Sequence, residues 1–138
     1  MQVPSTITPA SGRVAVLCAG MGAVATTFMA GVLLARRGLG QPIGSLTQMG
    51  TIRLGPRKDG RAPKIADFIS LASLDDLVFG GWDIFPDDAH AAAVDAAVLS
   101  AVDLDTVRHE LAQIKPMRAV FDPAYVRRLD GSHVKTGK

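Results

Sequence analysis

An uncharged run of 22 residues, Val14 to Ala35, constrains the fold of this chain more than any other feature. The run reads VAVLCAGMGAVATTFMAGVLLA and is long enough to cross a lipid bilayer as one helix. Its three glycines and two threonines lower its hydropathy, and neither end carries the aromatic residues that flank membrane spans. A signal peptide would need a shorter apolar core and a small-residue cleavage site. A membrane-anchored basic protein is therefore the least favoured interpretation, and we expect no membrane partner.

A strand, a glycine turn and a helix explain the same run better. Residues 13–19 (RVAVLCA) form a short apolar segment, which predicts a strand buried on both faces of a parallel sheet. Residues 23–37 predict a helix that ends before Gly38 in two arginines, which suit the negative end of the helix dipole. The turn and the first helical residues spell G-x-G-x-x-A, in the strand–turn–helix context that dinucleotide-binding sites require.

Each small residue of this fingerprint has a mechanical role. Gly20 permits the tight turn, Gly22 lets a pyrophosphate approach the helix terminus, and Ala25 lets the helix and the strand pack closely. The free N–H groups and the positive end of the helix dipole then hold the phosphate oxygens. Glycine-rich turns also join strands to helices for purely steric reasons, so the fingerprint favours dinucleotide binding without establishing it.

The acid that usually accompanies this fingerprint is missing from its expected position. It would lie about 20 residues past the glycines, where residues 39–42 read LGQP. Further along, residues 77–79 predict a second buried strand, which breaks at Gly80 and Gly81 and is followed by Asp83. Because ligands of open α/β sheets lie beyond the carboxyl ends of the strands, Asp83 is the candidate ribose acceptor. The alternative is that Asp83 only caps a turn.

The remaining segments predict one long loop and three helices. Residues 40–64 carry eight glycines and prolines without a helical period, which indicates either a solvated loop or a wall of a nucleotide or phosphate-ester pocket. Residues 86–88 (PDD) predict the first turn of a helix. Further helices are predicted over residues 103–114 and, briefly, after Asp122–Pro123.

The content of cysteine and histidine excludes several classes of site. Cys18 is the only cysteine, so an internal disulfide framework and a multi-cysteine zinc site are both excluded, and nothing demands an oxidising compartment. The three histidines share no metal-ligand spacing and are expected at the surface. No nucleophilic set can be assembled either. We therefore assign no catalytic residue and no metal ligand.

Charge is strongly ordered along the chain. Residues 13–64 carry eight basic residues against one acid, whereas residues 67–110 carry ten acids against one base. A nucleic-acid surface needs basic side chains interleaved with aromatic ones, and the basic block holds only Phe28. We therefore expect no nucleic-acid partner, and favour phosphate or intersubunit contacts for the basic block.

Four stretches of the chain, taken in order, resemble the N-terminal part of the myo-inositol-1-phosphate synthase (inositol-3-phosphate synthase) family. They are VAVLCAGMGAVATT at 14–27, GSLTQMGTIRLG at 44–55, DLVFGGWDIFPDDAHAAA at 76–93 and KPMRAVFDPAYV at 115–126. Together they extend over nearly the whole chain. The combination of GSLTQ and GGWDI is far more specific than a dinucleotide fingerprint.

The resemblance implies an α/β fold, a Rossmann-like parallel sheet with flanking helices. Residues 13–138 would be the front part of a larger NAD-binding domain, after a flexible segment at 1–12. It also implies a cytoplasmic, homotetrameric isomerase that uses NAD in inositol and phospholipid biosynthesis. The enzyme would convert D-glucose 6-phosphate to myo-inositol phosphate by oxidation, enolisation, intramolecular aldol closure and re-reduction, so NAD would be recycled.

By position, the resemblance also assigns cofactor-binding residues. Those along the dinucleotide would be Gly20, Met21, Gly22, Ala23 and Val24. Asp83, with Ile84, would meet the adenosine ribose and so replace the acid missing near position 40. The segment 45–48 would line the region close to the cofactor.

Length is where the chain departs from the family. Synthases of this family carry their catalytic lysines and their tetramer-forming sheet after the segment seen here, and neither Lys135 nor Lys138 matches a catalytic lysine. Positioned positive charge would be needed against the developing enolate. The alternative to a synthase is therefore a truncated, non-catalytic NAD-binding or interaction module.

Overall fold

The uncharged run is divided between a strand and a helix. The computed structural model describes residues 11–122 and 124–135, so most of the expected flexible segment at 1–12 lies outside the described residues. Strand β1 is Val14–Ala19 and helix α1 is Ala23–Arg36. No helix in the described ranges is long and apolar enough to cross a membrane. The strand–turn–helix prediction is confirmed, and the interpretation of residues 14–35 as one membrane-spanning helix is wrong.

Three parallel strands form the sheet, in the order β1-β2-β3. Strand β2 is Leu77–Asp83 and β3 is Met117–Arg118. The pairing of β1 with β2 runs from Val14 opposite Leu77 to Ala19 opposite Trp82. The two strands therefore end at the same level, which places their carboxyl ends side by side.

Strand β2 continues through its two glycines, so the predicted break at Gly80 and Gly81 is wrong. Gly81 lies opposite Cys18 of β1 and is buried. A Cβ atom at Gly81 would collide with the carbonyl oxygen of Cys18 and lie 3.1 Å from Cγ of Met21. Glycine here permits the close approach of two strands, which is one of its roles inside sheets.

The core lies between the sheet and the helices, on one face of the sheet. It is built on α1, α3 (Ala89–Ala96), α4 (Ala101–Thr106) and α5 (Arg108–Gln113). The buried residues of the core are Met21, Met29, Ala30, Leu33, Ala89, Ala93, Leu104, Val107 and Leu111. The predicted α/β fold with a parallel sheet and flanking helices is confirmed.

The other face of β1 is exposed, contrary to the prediction of a strand buried on both faces. Cys18 and Phe79 pack against the helices from the sheet, whereas Leu17, on the opposite face of β1, is 57% exposed. Side chains alternate between the two faces of a strand. In the described part of the chain, the helices cover only one of these faces.

Helix boundaries differ from the predictions wherever a cap or a tertiary contact decides them. Asp88 is the N-cap of α3, with Oδ1 accepting from the amides of His90 at 3.0 Å and Ala91 at 2.9 Å, so residues 86–88 precede the helix. The helix predicted over 103–114 is two helices, α4 and α5, separated at buried Val107. No helix follows Asp122 within residues 124–135, and Pro123 lies outside the described residues.

The segment between α1 and β2 is structured rather than a plain loop. It contains the short helix α2 (Leu46–Met49). Residues 51–64 then form an arm, in which the chain runs out and back and is joined by an antiparallel bridge between Thr51 and Lys64. In this arm the amide of Ile52 donates to the carbonyl of Pro63 at 3.0 Å. The arm is mostly exposed to solvent, as the solvated-loop interpretation expects, but its backbone is paired rather than irregular.

Two arginines at the end of α1 tie this helix to its neighbours. Arg36 donates through Nε to the carbonyl of Leu74 at 2.8 Å, and its guanidinium lies 5.7 Å from the centre of the Phe79 ring. Arg37 forms a salt bridge with Glu110 of α5. The hydrogen bond from Arg37 lowers the pKa of Glu110 below its ordinary value of 4.5.

A matched pair of glycine substitutions tests the approach of β1 to β2. Gly81→Ala is expected to destabilise the chain by about 1–3 kcal/mol, because the added methyl group collides with the backbone of Cys18. Gly80→Ala should change the free energy of unfolding by less than about 1 kcal/mol, because its Cβ would meet Leu17 Cδ2 at an ordinary 3.4 Å. Urea unfolding measures both, and equal costs would contradict the observed packing.

The Arg37–Glu110 pair should make a small, pH-dependent contribution to stability. Arg37→Ala is expected to cost at most about 1 kcal/mol at pH 7, because the two side chains are 41% and 35% exposed and water screens the pair. The pKa of Glu110 is lowered in the folded state, so this contribution is complete above the ordinary carboxyl pKa and is lost as the pH falls below it. Urea unfolding at pH 7 and pH 3 checks this, with Glu110→Gln as the reciprocal variant. A cost that is the same at both pH values would show that the arginine acts through packing and its hydrogen bond to the carbonyl of Thr106, and not through Glu110.

Candidate functional site

The glycine turn after β1 is fastened to the end of β2 by two consecutive amides. Gly20, whose φ of +100° favours glycine, donates its N–H to the carbonyl of Trp82 at 2.8 Å. The next amide, that of Met21, donates to Oδ2 of Asp83 at 2.6 Å. The turn therefore has a defined position relative to β2.

Met21 contributes to the site through its backbone and not through its side chain. The side chain is 1% exposed and belongs to the core cluster between the helices. Packing of this side chain in the core holds the turn against the helices. The family resemblance assigned Met21 to the dinucleotide, and the structure places only its backbone at the turn.

The four amides that follow are available for an anion. Gly22 is the N-cap of α1 and makes no side-chain capping bond. The N–H groups of residues 22–25 have no acceptor among the described residues. These donors and the positive end of the helix dipole together favour a negatively charged group such as a phosphate.

A cavity of about 580 Å³ opens at this edge of the sheet. Its lining residues are Ala19, Gly20, Gly22, Trp82, Asp83, Ile84, Phe85, Ala119, Val120, Phe121 and Leu129. The volume lies within the range of roughly 300–1,000 Å³ that is usual for small-molecule sites. Most of the lining is apolar, and Asp83 is its only ionisable side chain among the residues that the structure describes. A ligand with a flat apolar part and a polar group near Asp83 suits this lining.

Asp83 both caps a turn and faces the cavity, so the two interpretations from the sequence are compatible. It is the last residue of β2, and its Oδ1 accepts from the amide of Phe85 at 3.0 Å. Its Oδ2 accepts from Met21. Each carboxylate oxygen has two lone pairs, which leaves acceptor capacity for a hydroxyl group in the cavity.

Four of the seven predicted cofactor-binding residues lie together at the cavity. They are Gly20, Gly22, Asp83 and Ile84. Ala23 and Val24 begin α1 outside the lining, and the Val24 side chain is 86% exposed. Their amides are free, and their assignment to the dinucleotide stays a prediction.

The arm and loop of residues 40–64 do not line this cavity, so their interpretation as a wall of a nucleotide or phosphate-ester pocket stays a prediction. The segment 45–48 begins with Ser45, the N-cap of α2. Gln48 lines a separate cavity of about 540 Å³, bordered by Arg36 and residues 66–75. The insertion between α1 and β2 therefore folds away from the carboxyl edge.

The sequence analysis missed the part of the lining that comes from the end of the chain. Residues 119–121 follow β3 at the same sheet edge, and the amide of Ala119 donates to the carbonyl of Asp83 at 3.2 Å. Their signal is the short apolar stretch AVF after a helix and a proline, which is typical of a further buried strand. Leu129 had no such signal, because only the fold of the segment brings it to the cavity.

No metal-binding cluster lies among the described residues. No lysine lines the cavity, and no three His, Cys, Asp or Glu side chains within the described ranges could hold a metal ion. Of the three histidines expected at the surface, His109 is exposed, whereas His90 and His133 are half-buried. Nε2 of His133 lies 3.2 Å from the carbonyl oxygen of Pro116. Lys135 is exposed, and Lys138 lies outside the described residues.

Space beside Gly22 fits a diphosphate. A Cβ atom placed on Gly22 would meet no protein atom within 4 Å, although the residue lines the cavity. The backbone is thus bare on the side from which a ligand approaches. This open space and the free amides are what a dinucleotide diphosphate requires.

Comparison with known proteins identifies the domain. A sequence model described as myo-inositol-1-phosphate synthase, for an NAD-binding domain, matches residues 14–138, which confirms the prediction of NAD as the cofactor. Over 130 residues the chain is 50% identical to inositol-3-phosphate synthase 1 of Bacteroides thetaiotaomicron, a match that covers 94% of this chain and 30% of that protein. Inositol-3-phosphate synthase 1 of Oryza sativa is 32% identical over 120 residues, covering 78% of this chain and 23% of the rice protein.

A solved structure agrees with these matches. The crystal structure of inositol-3-phosphate synthase from Caenorhabditis elegans superposes with a TM-score of 0.74 and 20% identity, covering 92% of this chain and 28% of that chain. This likeness shows the fold. The chain thus spans about 30% of the length of the bacterial relative. The family model and that relative together show that the chain belongs to the myo-inositol-1-phosphate synthase family, as its four sequence stretches predict.

Proposed function

We propose that this chain is the NAD-binding part of an inositol-3-phosphate synthase, which converts D-glucose 6-phosphate to myo-inositol phosphate. One observation carries the proposal: Gly22, where the run of free amides begins, and the carboxylate of Asp83, which is bonded to the same turn, line one cavity. This arrangement supplies the two contacts that a dinucleotide needs, one for the diphosphate and one for the ribose. Family membership supports the choice of reaction.

In this proposal the turn and the end of β2 hold different parts of NAD. The free amides of Gly22, Ala23 and Val24 bind the diphosphate. Gly20 and Met21, whose amides are bonded to the end of β2, lie along the dinucleotide. Asp83 and Ile84 meet the adenosine ribose. These assignments follow from the open space at Gly22, the free donors, and the cavity-facing position of the carboxylate.

The described residues support cofactor binding rather than the carbon chemistry. When bound, NAD supplies the reversible oxidation of the sugar phosphate. This chain's residues bind the cofactor, orient it and cover its apolar part. No lysine among the described residues lines the cavity, and in this proposal the positive charge against an enolate is supplied from elsewhere in an active synthase.

Substrate, assembly and location belong to the proposal too. Glucose 6-phosphate is the proposed substrate and a homo-oligomer the proposed assembly of the whole synthase, in the cytoplasm. Residues 13–138 are proposed to form the front of its NAD-binding domain, which agrees with the matched range. The second candidate is a non-catalytic NAD-binding module, favoured because no lysine of residues 11–122 and 124–135 lines the cavity. Replacing the matched segment of the 50% identical bacterial synthase with this chain separates the two candidates. Retained formation of inositol phosphate from glucose 6-phosphate and NAD would decide for the synthase part, and NAD binding without turnover would decide for the module.

The first test of the NAD site is Gly22→Val. The fold should tolerate valine, because Gly22 has an extended backbone (φ −77°, ψ −159°) and open space beside it. The branched side chain would occupy the space that the diphosphate needs, so binding of NAD should be abolished in isothermal titration calorimetry. Gly31→Val is the matched control, since Gly31 lies in the same helix with open space around it but outside the cavity lining. Unchanged affinity in the Gly22 variant would refute the diphosphate site.

A second test concerns the carboxylate at the end of β2. Asp83→Ala should weaken NAD binding by roughly 1–3 kcal/mol, the scale of a hydrogen bond to a charged group. Asp87→Ala is the control, because this substitution removes the same charge at a nearby position. Asp87 is exposed and does not line the cavity. Calorimetric dissociation constants measure both. If the two variants lost equal affinity for NAD, the effect would come from the negative charge near the site, and the hydrogen bond from the ribose to Asp83 would be refuted.

A further inference from the structure

The carboxylate of Asp83 accepts a hydrogen bond from the amide of Met21, in addition to the ribose contact proposed for it. This hydrogen bond spans 2.6 Å between residues 62 apart in the chain, and it is partly buried. It is made within the protein, so it acts on the turn before any ligand binds. Asp83 therefore has a contact whose effect is separable from its contact with a sugar.

We propose that Asp83 is a positioning residue for the diphosphate-binding turn, in addition to being the ribose acceptor. Its carboxylate fixes the N–H of Met21, and this orients the next four amides toward the cavity. The inference rests on the proposed function, because the turn is taken to bind the diphosphate of NAD.

The turn needs such a fixed point because glycines lie on both sides of Met21. Gly20 and Gly22 lack a Cβ, so their backbones have more accessible conformations than those of other residues. The side chain of Met21 is held in the core, but this leaves the peptide between Gly20 and Met21 able to rotate. The bond to Oδ2 removes that freedom, so less conformational entropy is lost when an anion binds.

The geometry also shows how to separate the bond from the charge. Oδ1 accepts a hydrogen bond from the amide of Phe85, which is exposed and can instead bond to water. Oδ2 accepts from the partly buried amide of Met21. An asparagine at position 83 has one acceptor oxygen, and the partly buried amide has the greater need for it. Asp83→Asn should therefore retain the bond to Met21, whereas Asp83→Ala loses it. The two variants carry the same charge.

The experiment uses an NAD analogue whose adenosine ribose lacks both hydroxyl groups, which removes the ribose contact from the ligand. Calorimetry on the 138-residue chain should show that Asp83→Ala binds this analogue about five- to tenfold more weakly than Asp83→Asn, the effect of one hydrogen bond. Amide hydrogen exchange should accelerate at Met21 in the alanine variant alone. The core amide of Leu111, which bonds to the carbonyl of Val107 at 3.0 Å, should keep its rate in both variants.

Each other outcome has a distinct meaning. Equal affinity of the two variants for the analogue, with unchanged exchange at Met21, would overturn the positioning role and leave Asp83 as a ribose acceptor. Faster exchange at both Met21 and Leu111 would mean that the residue only stabilises the fold, which also overturns the inference. Failure of the unsubstituted chain to bind NAD would instead refute the proposed function, and the exchange at Met21 would still decide whether Asp83 holds the turn.

Discussion

The attachment of the glycine turn to the end of β2 is the constraint on which the site depends. Parallel pairing brings β1 and β2 to a common end, at Ala19 opposite Trp82. The first amide of the turn then bonds to the backbone of β2, and the second to the side chain of Asp83. Because the turn leads directly into α1, these bonds place a helix terminus and a carboxylate at one cavity. A change that separated the strands would remove both halves of the site together.

The position of the acid shows that strand order matters more than distance along the chain. In a short strand–helix–strand unit, the second strand ends about 20 residues after the glycines. Here residues 37–76 lie between α1 and β2 and hold α2, the arm and several turns. They fold away from the carboxyl edge, while Arg36 holds the end of this segment against α1 through the carbonyl of Leu74. β2 therefore still pairs beside β1, and Asp83 takes the place that an acid near position 40 would have had.

Local patterns predicted β1, the turn, α1 and the position of Asp83, because short-range sterics and capping determine them. The features that sequence reasoning missed depend on distant neighbours. Gly81 looks like a strand breaker until Cys18 lies opposite, and Leu17 looks buried until the helices are found on one side only. Leu129 reaches the cavity only through the path of the last described segment. The sequence could predict the end of β2, because the strand and its acid are adjacent in the chain. It could not predict the part of the cavity lining formed by residues 119–121 and Leu129, because these residues are distant in the chain from the turn.

Trp82, the only tryptophan of the chain, is half exposed and borders the cavity. Its carbonyl holds the turn, and its indole ring lies on the opposite face of β2 from the core. All indole fluorescence of this protein therefore originates beside the site. The emission maximum and its quenching report on the solvent around that one ring, so the chain carries its own optical probe of what enters the cavity, without any label.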